Sequence, residues 1–290
     1  MLRSYPTGNN LLQAYENCLL CGHQCGKNRL AGEVGTCGLS TQVLVSSAGP
    51  HYGEEPELVG RHGSGTIFFA GCNLSCRFCQ NFEISHFKQG DPAGIEELAS
   101  MMLSLERIGC HNINFVTPTP YTPSILEALR IARDKGLSLP AVYNCGGYES
   151  PEALALCDGL IEIYMPDAKY SDAAMAKAFS GAPNYPEINR EALKEMHRQV
   201  GDLEVVGGVA RRGLLVRHLV LPTCLDNTRG VLEFIAHEIS PNTYVNIMDQ
   251  YRPCFHADDL AGLDRRLTLR EYSEALQMAR EFGLSRGFAA

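Results

Sequence analysis

Six short apolar runs, at residues 66–71, 112–117, 140–144, 160–165, 214–221 and 243–248, alternate with stretches that carry the period of a helix. Strands this apolar need cover on both faces, and helices between successive strands supply it when the strands run parallel. The expected class is therefore α/β, with six βα units. The first helix carries Ile95, Leu98, Met102, Leu105 and Ile108 at spacings of three and four, which puts them on one face. The next opens at Thr122-Pro123, with Thr122 as N-cap and Pro123 at the first helical position, and turns Ile125, Ala128, Leu129 and Ala132 inward. Ser150-Pro151 repeats that signal. Between the fourth and fifth runs lies an insertion, with helices near 172–180 and 187–200 and a hairpin turning at Gly207-Gly208. Thr268-Leu269-Arg270-Glu271 is a capping box, opening a last helix with the stripe Tyr272, Ala275, Leu276, Ala279 and Phe282.

Composition narrows the function. Basic residues number 25 against 33 acidic, and the net charge of −8 argues against a surface built to cover nucleic-acid phosphates. No stretch approaches the roughly 18 apolar residues of a membrane span. The start, from Met1 to Asn10, lacks the charged region and apolar run of a secretory signal, so the expected location is the cytoplasm. In that reducing compartment twelve cysteines point to metal or redox chemistry rather than to disulfides. Seven of them fall between Cys18 and Cys79, in two tight groups.

The later group, Cys72-Asn73-Leu74-Ser75-Cys76-Arg77-Phe78-Cys79, places three thiolates in a loop directly after the first strand. Four ligands close a structural zinc or iron–sulfur site, whereas three leave one metal position open for a small molecule. Free thiols or a plain zinc loop are the duller readings. The spacing C-x3-C-x2-C, with an aromatic residue before the last cysteine and a βα series around it, resembles the signature of the radical S-adenosylmethionine (SAM) superfamily. More narrowly, residues 63–73, Phe78-Cys79-Gln80-Asn81, Glu54-Glu55-Pro56, Val142-Tyr143-Asn144, the run from Tyr164 to Lys169 and the run from Asn246 to Cys254 look like uncharacterised iron–sulfur proteins related to pyruvate formate-lyase activating enzyme. That similarity spans nearly the whole chain.

The resemblance implies a partial (β/α)6 TIM-like barrel over residues 63–290, preceded at residues 1–62 by a cysteine-rich metal-binding segment. It also implies a 4Fe-4S cluster on Cys72, Cys76 and Cys79, the catalytic residues, whose fourth iron chelates the amino and carboxylate groups of SAM. An injected electron then breaks the sulfonium bond, and the 5′-deoxyadenosyl radical abstracts hydrogen from a substrate in the barrel. Reduced flavodoxin or ferredoxin is the donor the family suggests.

Ligands of such barrels sit at the carboxyl ends of the strands. Superfamily members commonly carry Gly-Gly-Glu after the second strand, but here Thr117-Pro118-Thr119-Pro120 stands in its place. Carbonyls of this turn and the Thr119 hydroxyl are expected to receive the methionine ammonium, the alternative being a mere strand-to-helix turn. Asp167-Ala168-Lys169 is similar to an Asp-x-Lys pair of activating enzymes that binds ribose hydroxyls and the methionine carboxylate; a surface salt bridge is the alternative. Asn144 is placed for the ribose. Arg217, inside an apolar strand, reaches either the cofactor carboxylate or a buried acid.

The earlier group, Cys18-x2-Cys21-x3-Cys25-x11-Cys37, supplies four thiolates among glycines, enough for a closed zinc site or a second iron–sulfur cluster, and a structural centre rather than an electron relay. His23 is an alternative ligand, expected in solvent. Cys110 and Cys157 precede strands and are expected as apolar fillers, while Cys145, Cys224 and Cys254 follow strands and should face the mouth. His51, Glu54, Glu55, Gln250, Tyr251, Arg252 and His256 are further candidates, each matched by a plain loop reading. Three functions compete: hydrogen abstraction from a small molecule or a polypeptide, activation of a glycyl-radical partner protein, and a non-catalytic iron–sulfur electron carrier. The open coordination position speaks against the last.

Overall fold

The computed structural model describes residues 10–288; the first nine residues of the lead lie outside them. Two 3-10 turns, Leu11–Tyr15 and Arg29–Ala31, are the regular helical structure of the cysteine-rich start. There follow β1 (Val43–His51), α1 (Pro56–Val59), β2 (Ser64–Phe69), α2 (Phe82–Ser85), β3 (Asp91–Ala93), α3 (Ile95–Ile108), β4 (Ile113–Val116), α4 (Thr122–Asp134), β5 (Ala141–Cys145), α5 (Pro151–Cys157) and β6 (Ile163–Pro166). The insertion supplies α6 (Ala173–Ser180), α7 (Tyr185–Val200) and β7 (Glu204–Val206), and the chain continues through β8 (Val209–Leu219), α8 (Leu225–Phe234), β9 (Tyr244–Met248) and α9 (Leu269–Glu281).

Strands β2, β4, β5, β6, β8 and β9 are parallel neighbours in that order, and they correspond to the six apolar runs. The fold is a mixed α/β one with a mostly parallel, partial TIM-like barrel. Three strands flank the parallel array: β1 runs antiparallel along the β2 edge, β3 pairs antiparallel with β1 outside it, and β7 pairs antiparallel with the start of β8 through the turn at Gly207-Gly208. Sequence reading misses β1 because past Val45 it is polar and exposed, with no apolar run to mark it. Through its pairing with β2, β1 brings residues from Val43 onward into the sheet.

Alternate residues of each strand face opposite ways. Phe69, Phe115, Tyr143, Tyr164, Val216 and Ile247 pack outward into the main core beneath the helices. Val142, Ile163, Met165 and Leu215 point the other way and join Leu58 and Tyr244 in a cluster that fills the lower interior. Burial of these side chains, at about 25 cal/mol per Å² of apolar surface, is the main term holding the array together.

Local signals mostly hold. Ser150 caps α5 through the Ala153 N–H at 3.1 Å, and Thr268 with Glu271 forms the capping box of α9. Ile125, Ala128, Leu129 and Ala132 are wholly buried, whereas only Ala275 and Ala279 of the last stripe are. Two details differ. Ile108 is 60% exposed, because α3 ends there and Gly109 turns the chain away in the left-handed region. Thr122 is the first helical residue rather than the N-cap: a 3-10 turn, Thr119–Tyr121, leads into α4, and its buried hydroxyl meets Tyr143 Oη at 2.7 Å. No helix among the described residues is long and apolar enough to cross a membrane.

Candidate active site

A cavity of about 490 Å³ opens at the carboxyl ends of the parallel strands. Each strand contributes to it: Phe68 of β2, Val116 of β4, Asn144 of β5, Asp167 just past β6, Arg217 of β8 and Asn246 of β9. Cys72, Cys76 and Cys79 line the same cavity.

The cysteine loop hangs from β2 by Gly71, whose φ is +87° and where a Cβ would stand 2.6 Å from the Leu39 side chain, so only glycine fits. Its far side is held by the insertion. The Arg77 N–H donates to Phe179 O at 2.8 Å, and Phe78 packs edge-on against the rings of Phe179 and Tyr251. Each sulfur has a polar partner: the Leu74 N–H donates to Cys72 Sγ at 3.4 Å, the Ser180 hydroxyl to Cys76 Sγ at 3.0 Å, and Ser85 Oγ lies 3.1 Å from Cys79 Sγ. Burial pushes the Cys76 thiol above its ordinary value, while the Lys169 ammonium works against that push. Three sulfurs with hydrogen-bonding partners and a nearby cation fit an anionic metal cluster, whose binding would take the thiol protons. Among the described residues no three His, Cys, Asp or Glu side chains close round one point as a single ion would require. Thiolates of a cluster have no such need, since each takes its own iron.

Two ion-pair groups stand at the cavity wall. Lys169 Nζ lies 2.5 Å from Asp167 Oδ2, with side chains 21% and 25% exposed, so this is a sheltered pair and not a surface bridge. Burial alone would lower the Lys169 pKa, but the Asp167 carboxylate and the Cys76 and Cys72 thiolates outweigh it and hold the ammonium above its ordinary value. Arg217 donates through Nε to Glu55 Oε1 at 2.7 Å and through Nη2 to Glu55 Oε2 at 2.7 Å, and it also pairs with Glu54. Asn246 Nδ2 donates to Glu55 Oε1 at 2.6 Å.

The radical SAM superfamily model matches residues 66–207. The chain belongs to the radical SAM superfamily. An uncharacterized protein of Methanocaldococcus jannaschii is 34% identical over 280 residues, covering 93% of this chain and 76% of that one. Among solved structures, Streptococcus suis SuiB bound to precursor peptide SuiA shares the fold, with a TM-score of 0.53 at 12% identity over 76% of this chain and 46% of SuiB. A domain of the pyruvate-formate lyase-activating enzyme of Bacteroides vulgatus aligns at 13% identity and a TM-score of 0.44, over 62% of this chain and 99% of that domain.

Within this radical SAM chain the expected contact residues separate. Thr117, Asn144, Asp167, Lys169 and Arg217 line the cavity, but Thr119 does not. The Thr119 hydroxyl is buried and donates to Glu149 Oε1 at 2.7 Å, so it is turned away from the mouth. Arg217 meets buried acids, the alternative that charge burial already raised. Glu54 and Glu55 are buried and not in a solvated loop. Cys145 lines the cavity and donates to Glu149 Oε2 at 3.1 Å; Cys224 and Cys254 lie outside the lining. Gln250 also lines the cavity, whereas Tyr251 is buried with its hydroxyl on Leu263 O, and Arg252 and His256 are exposed. His23 is half-buried, its Nε2 2.8 Å from Asn73 O, and not out in solvent. Cys110 and Cys157 are buried in the main core. Sequence reading also misses the clamps of the insertion: Ser180, and Asn189 Nδ2, which donates to Gly147 O at 2.8 Å and Asp167 O at 2.9 Å. A serine at a helix end carries no signal that it will face a sulfur.

Two predictions arise here. Thr117 sits at φ +60°, an uncommon conformation for a β-branched residue, at the turn into the cavity. Thr117→Gly is expected to raise unfolding stability by about 1 kcal/mol, read by urea titration; a loss would mean that its side-chain contacts outweigh the strain. His218 is wholly buried between Ala168 O at 2.7 Å and Thr228 Oγ1 at 3.0 Å, and burial pushes its pKa down from 6.5 to about 4. The unfolded chain takes up this proton first as pH falls, so stability is complete above pH 6.5 and is lost down to pH 4. Between pH 7 and pH 5 the histidine should cost about 2 kcal/mol, a loss missing from His218→Gln.

Proposed function

We propose that this chain is a radical SAM enzyme that holds a 4Fe-4S cluster on Cys72, Cys76 and Cys79, cleaves SAM reductively, and abstracts hydrogen from a substrate held in the barrel cavity. The observation that carries this reading is the convergence of three hydrogen-bonded sulfurs and of residues at or just past the carboxyl ends of all six parallel strands on a single cavity. When bound, the cluster and SAM would supply one-electron cleavage and a carbon radical strong enough to take hydrogen from an unactivated position.

The chain's own residues bind, orient and shelter. Asp167 and Lys169 present an acceptor and a donor on a sheltered wall, suited to ribose hydroxyls and a carboxylate. Asn144 adds an amide beside them, and the backbone turn at Thr117 brings carbonyl acceptors to the rim. Phe68, Leu74, Val116 and Met248 give the cavity an apolar wall that limits water. Arg217 is occupied by Glu54 and Glu55, so its role is to fix both carboxylates at the wall rather than to take the cofactor carboxylate. Residues 1–62 act in this reading as a metal-binding segment that packs on a barrel of residues 63–290. The chemistry requires an external one-electron donor, of flavodoxin or ferredoxin type.

A polypeptide substrate, including a glycine loop of a partner enzyme, is the second reading. The mouth favours it: exposed Asn81 and Gln250 line the rim, and Gln80 Nε2 donates to Gln250 O at 3.1 Å, so side-chain amides suited to a peptide backbone border the opening. The deciding assay is 5′-deoxyadenosine release from SAM by anaerobically reconstituted, chemically reduced protein. Release establishes the radical chemistry. An iron-loaded protein that neither releases it nor binds SAM would be an electron carrier, and the reading would fall.

A further inference from the structure

Cys18, Cys21, Cys25 and Cys37 enclose a second cavity, of about 20 Å³, together with Arg29. Arg29 is 1% exposed, one of the largest fully buried side chains in the molecule. Its guanidinium donates to Pro120 O at 2.6 Å and to Ser40 O, lies over the Tyr15 ring at 4.5 Å, and reaches Cys18 Sγ at 3.8 Å, while Nε has no partner. Among the described residues no carboxylate pairs with it. An uncompensated buried cation is costly, and the available counter-charge is the sulfur set. Four neutral thiols supply none, and four free thiolates would repel one another. Four thiolates round a divalent ion or a closed cluster core of charge +2 carry two net negative charges, which the guanidinium offsets by one.

Local backbone agrees. A Cβ on Gly35 would stand 3.1 Å from Cys25 Sγ and 3.5 Å from Cys37 Sγ, so glycine lets the main chain pass between two sulfurs. The cavity also borders the active site. His23 Nε2 lies 2.8 Å from the carbonyl of Asn73, next to Cys72, and the Arg29 bond to Pro120 O grips the turn after β4.

We propose that Cys18, Cys21, Cys25 and Cys37 hold a closed thiophilic metal centre with Arg29 as its buried counter-cation, and that this centre pins the Cys72 loop and the Pro120 turn. Zinc and a closed iron–sulfur cluster share the required thiolate chemistry; as they stand the four sulfurs do not close round one point, so zinc would need them to draw together, whereas in a cluster each takes its own iron. Neither offers an open position for SAM, and the contacts of His23 with Asn73 O and of Arg29 with Pro120 O give the centre its anchoring role.

The test measures iron and zinc in the full-length protein purified anaerobically. The wild type is expected to carry about eight irons, or about four irons and one zinc, and the zinc content separates the two sources. Cys72→Ala/Cys76→Ala/Cys79→Ala should keep the second complement, and Cys18→Ala/Cys21→Ala should lose that complement alone, so failure here and failure of the SAM reading are told apart. Arg29→Met, which removes the charge and keeps the bulk, should speed metal loss to a chelator by about tenfold or more. Should the variants fail to fold, alkylation mapping of the wild type decides: the four cysteines should be protected until metal is stripped. A wild type with about four irons and no zinc, or four cysteines alkylated equally fast before and after stripping, overturns the proposal.

Discussion

Cys76→Ala will reduce 5′-deoxyadenosine formation to the level of a protein-free blank while leaving the fold intact. Cys76 is the one buried residue of the three, and its sulfur lies against Ser180, whose hydroxyl is in turn shared with Tyr170 Oη at 2.6 Å. Three ligands acting on one centre work as a unit, so removing a second cysteine should cost nothing more. Ser180→Ala separates ligand from support: it keeps all three thiols and takes one donor from one sulfur, for which a fall of about tenfold to a hundredfold in cluster retention or activity is expected. Iron content, far-UV circular dichroism and product release, measured on the same preparations, check the series. A Cys76→Ala protein that still releases the nucleoside at the wild-type rate would remove the basis of the proposed function.

Arg217→Met should destabilise the chain by about 3 to 5 kcal/mol, the range for stripping one partner from a buried ion pair. The guanidinium faces two carboxylates, with side chains of Arg217, Glu54 and Glu55 only 16%, 5% and 3% exposed. Burial by itself would raise the Glu55 pKa, and the Arg217 guanidinium with the Asn246 amide reverses this and holds it below the usual carboxylate range. Losing Arg217 leaves two like charges side by side with no cation between them. Glu55→Gln is the milder change, because Glu54 and Arg217 then balance one to one. Urea unfolding at pH 7 should rank wild type, Glu55→Gln and Arg217→Met in that order. Equal losses for both variants would show that the network acts by packing rather than by charge.

The elements of the barrel are legible in the chain because their signals are local. Apolar runs, helical spacing, Pro at a first turn and the Thr268–Glu271 box each depend on neighbours within a few residues, and so does a C-x3-C-x2-C loop after a strand. The polar strand β1 and the three-residue β3 carry no such signal; β1 exists because the β2 edge offers unpaired backbone groups, and β3 because β1 in turn offers its own. The same contrast runs through the site. Residue types and spacing singled out Cys72, Cys76 and Cys79, and the resemblance to activating enzymes singled out the Asp167–Lys169 pair. That Arg217 faces Glu54 and Glu55 across 163 and 162 residues, that Ser180 reaches Cys76 across 104, and that Arg29 reaches Pro120 across 91 was decided only in the tertiary structure. The reason is physical: a buried charge or a buried hydroxyl takes whichever partner the closing of the sheet brings near, and a sequence records the need for a partner without recording where it is.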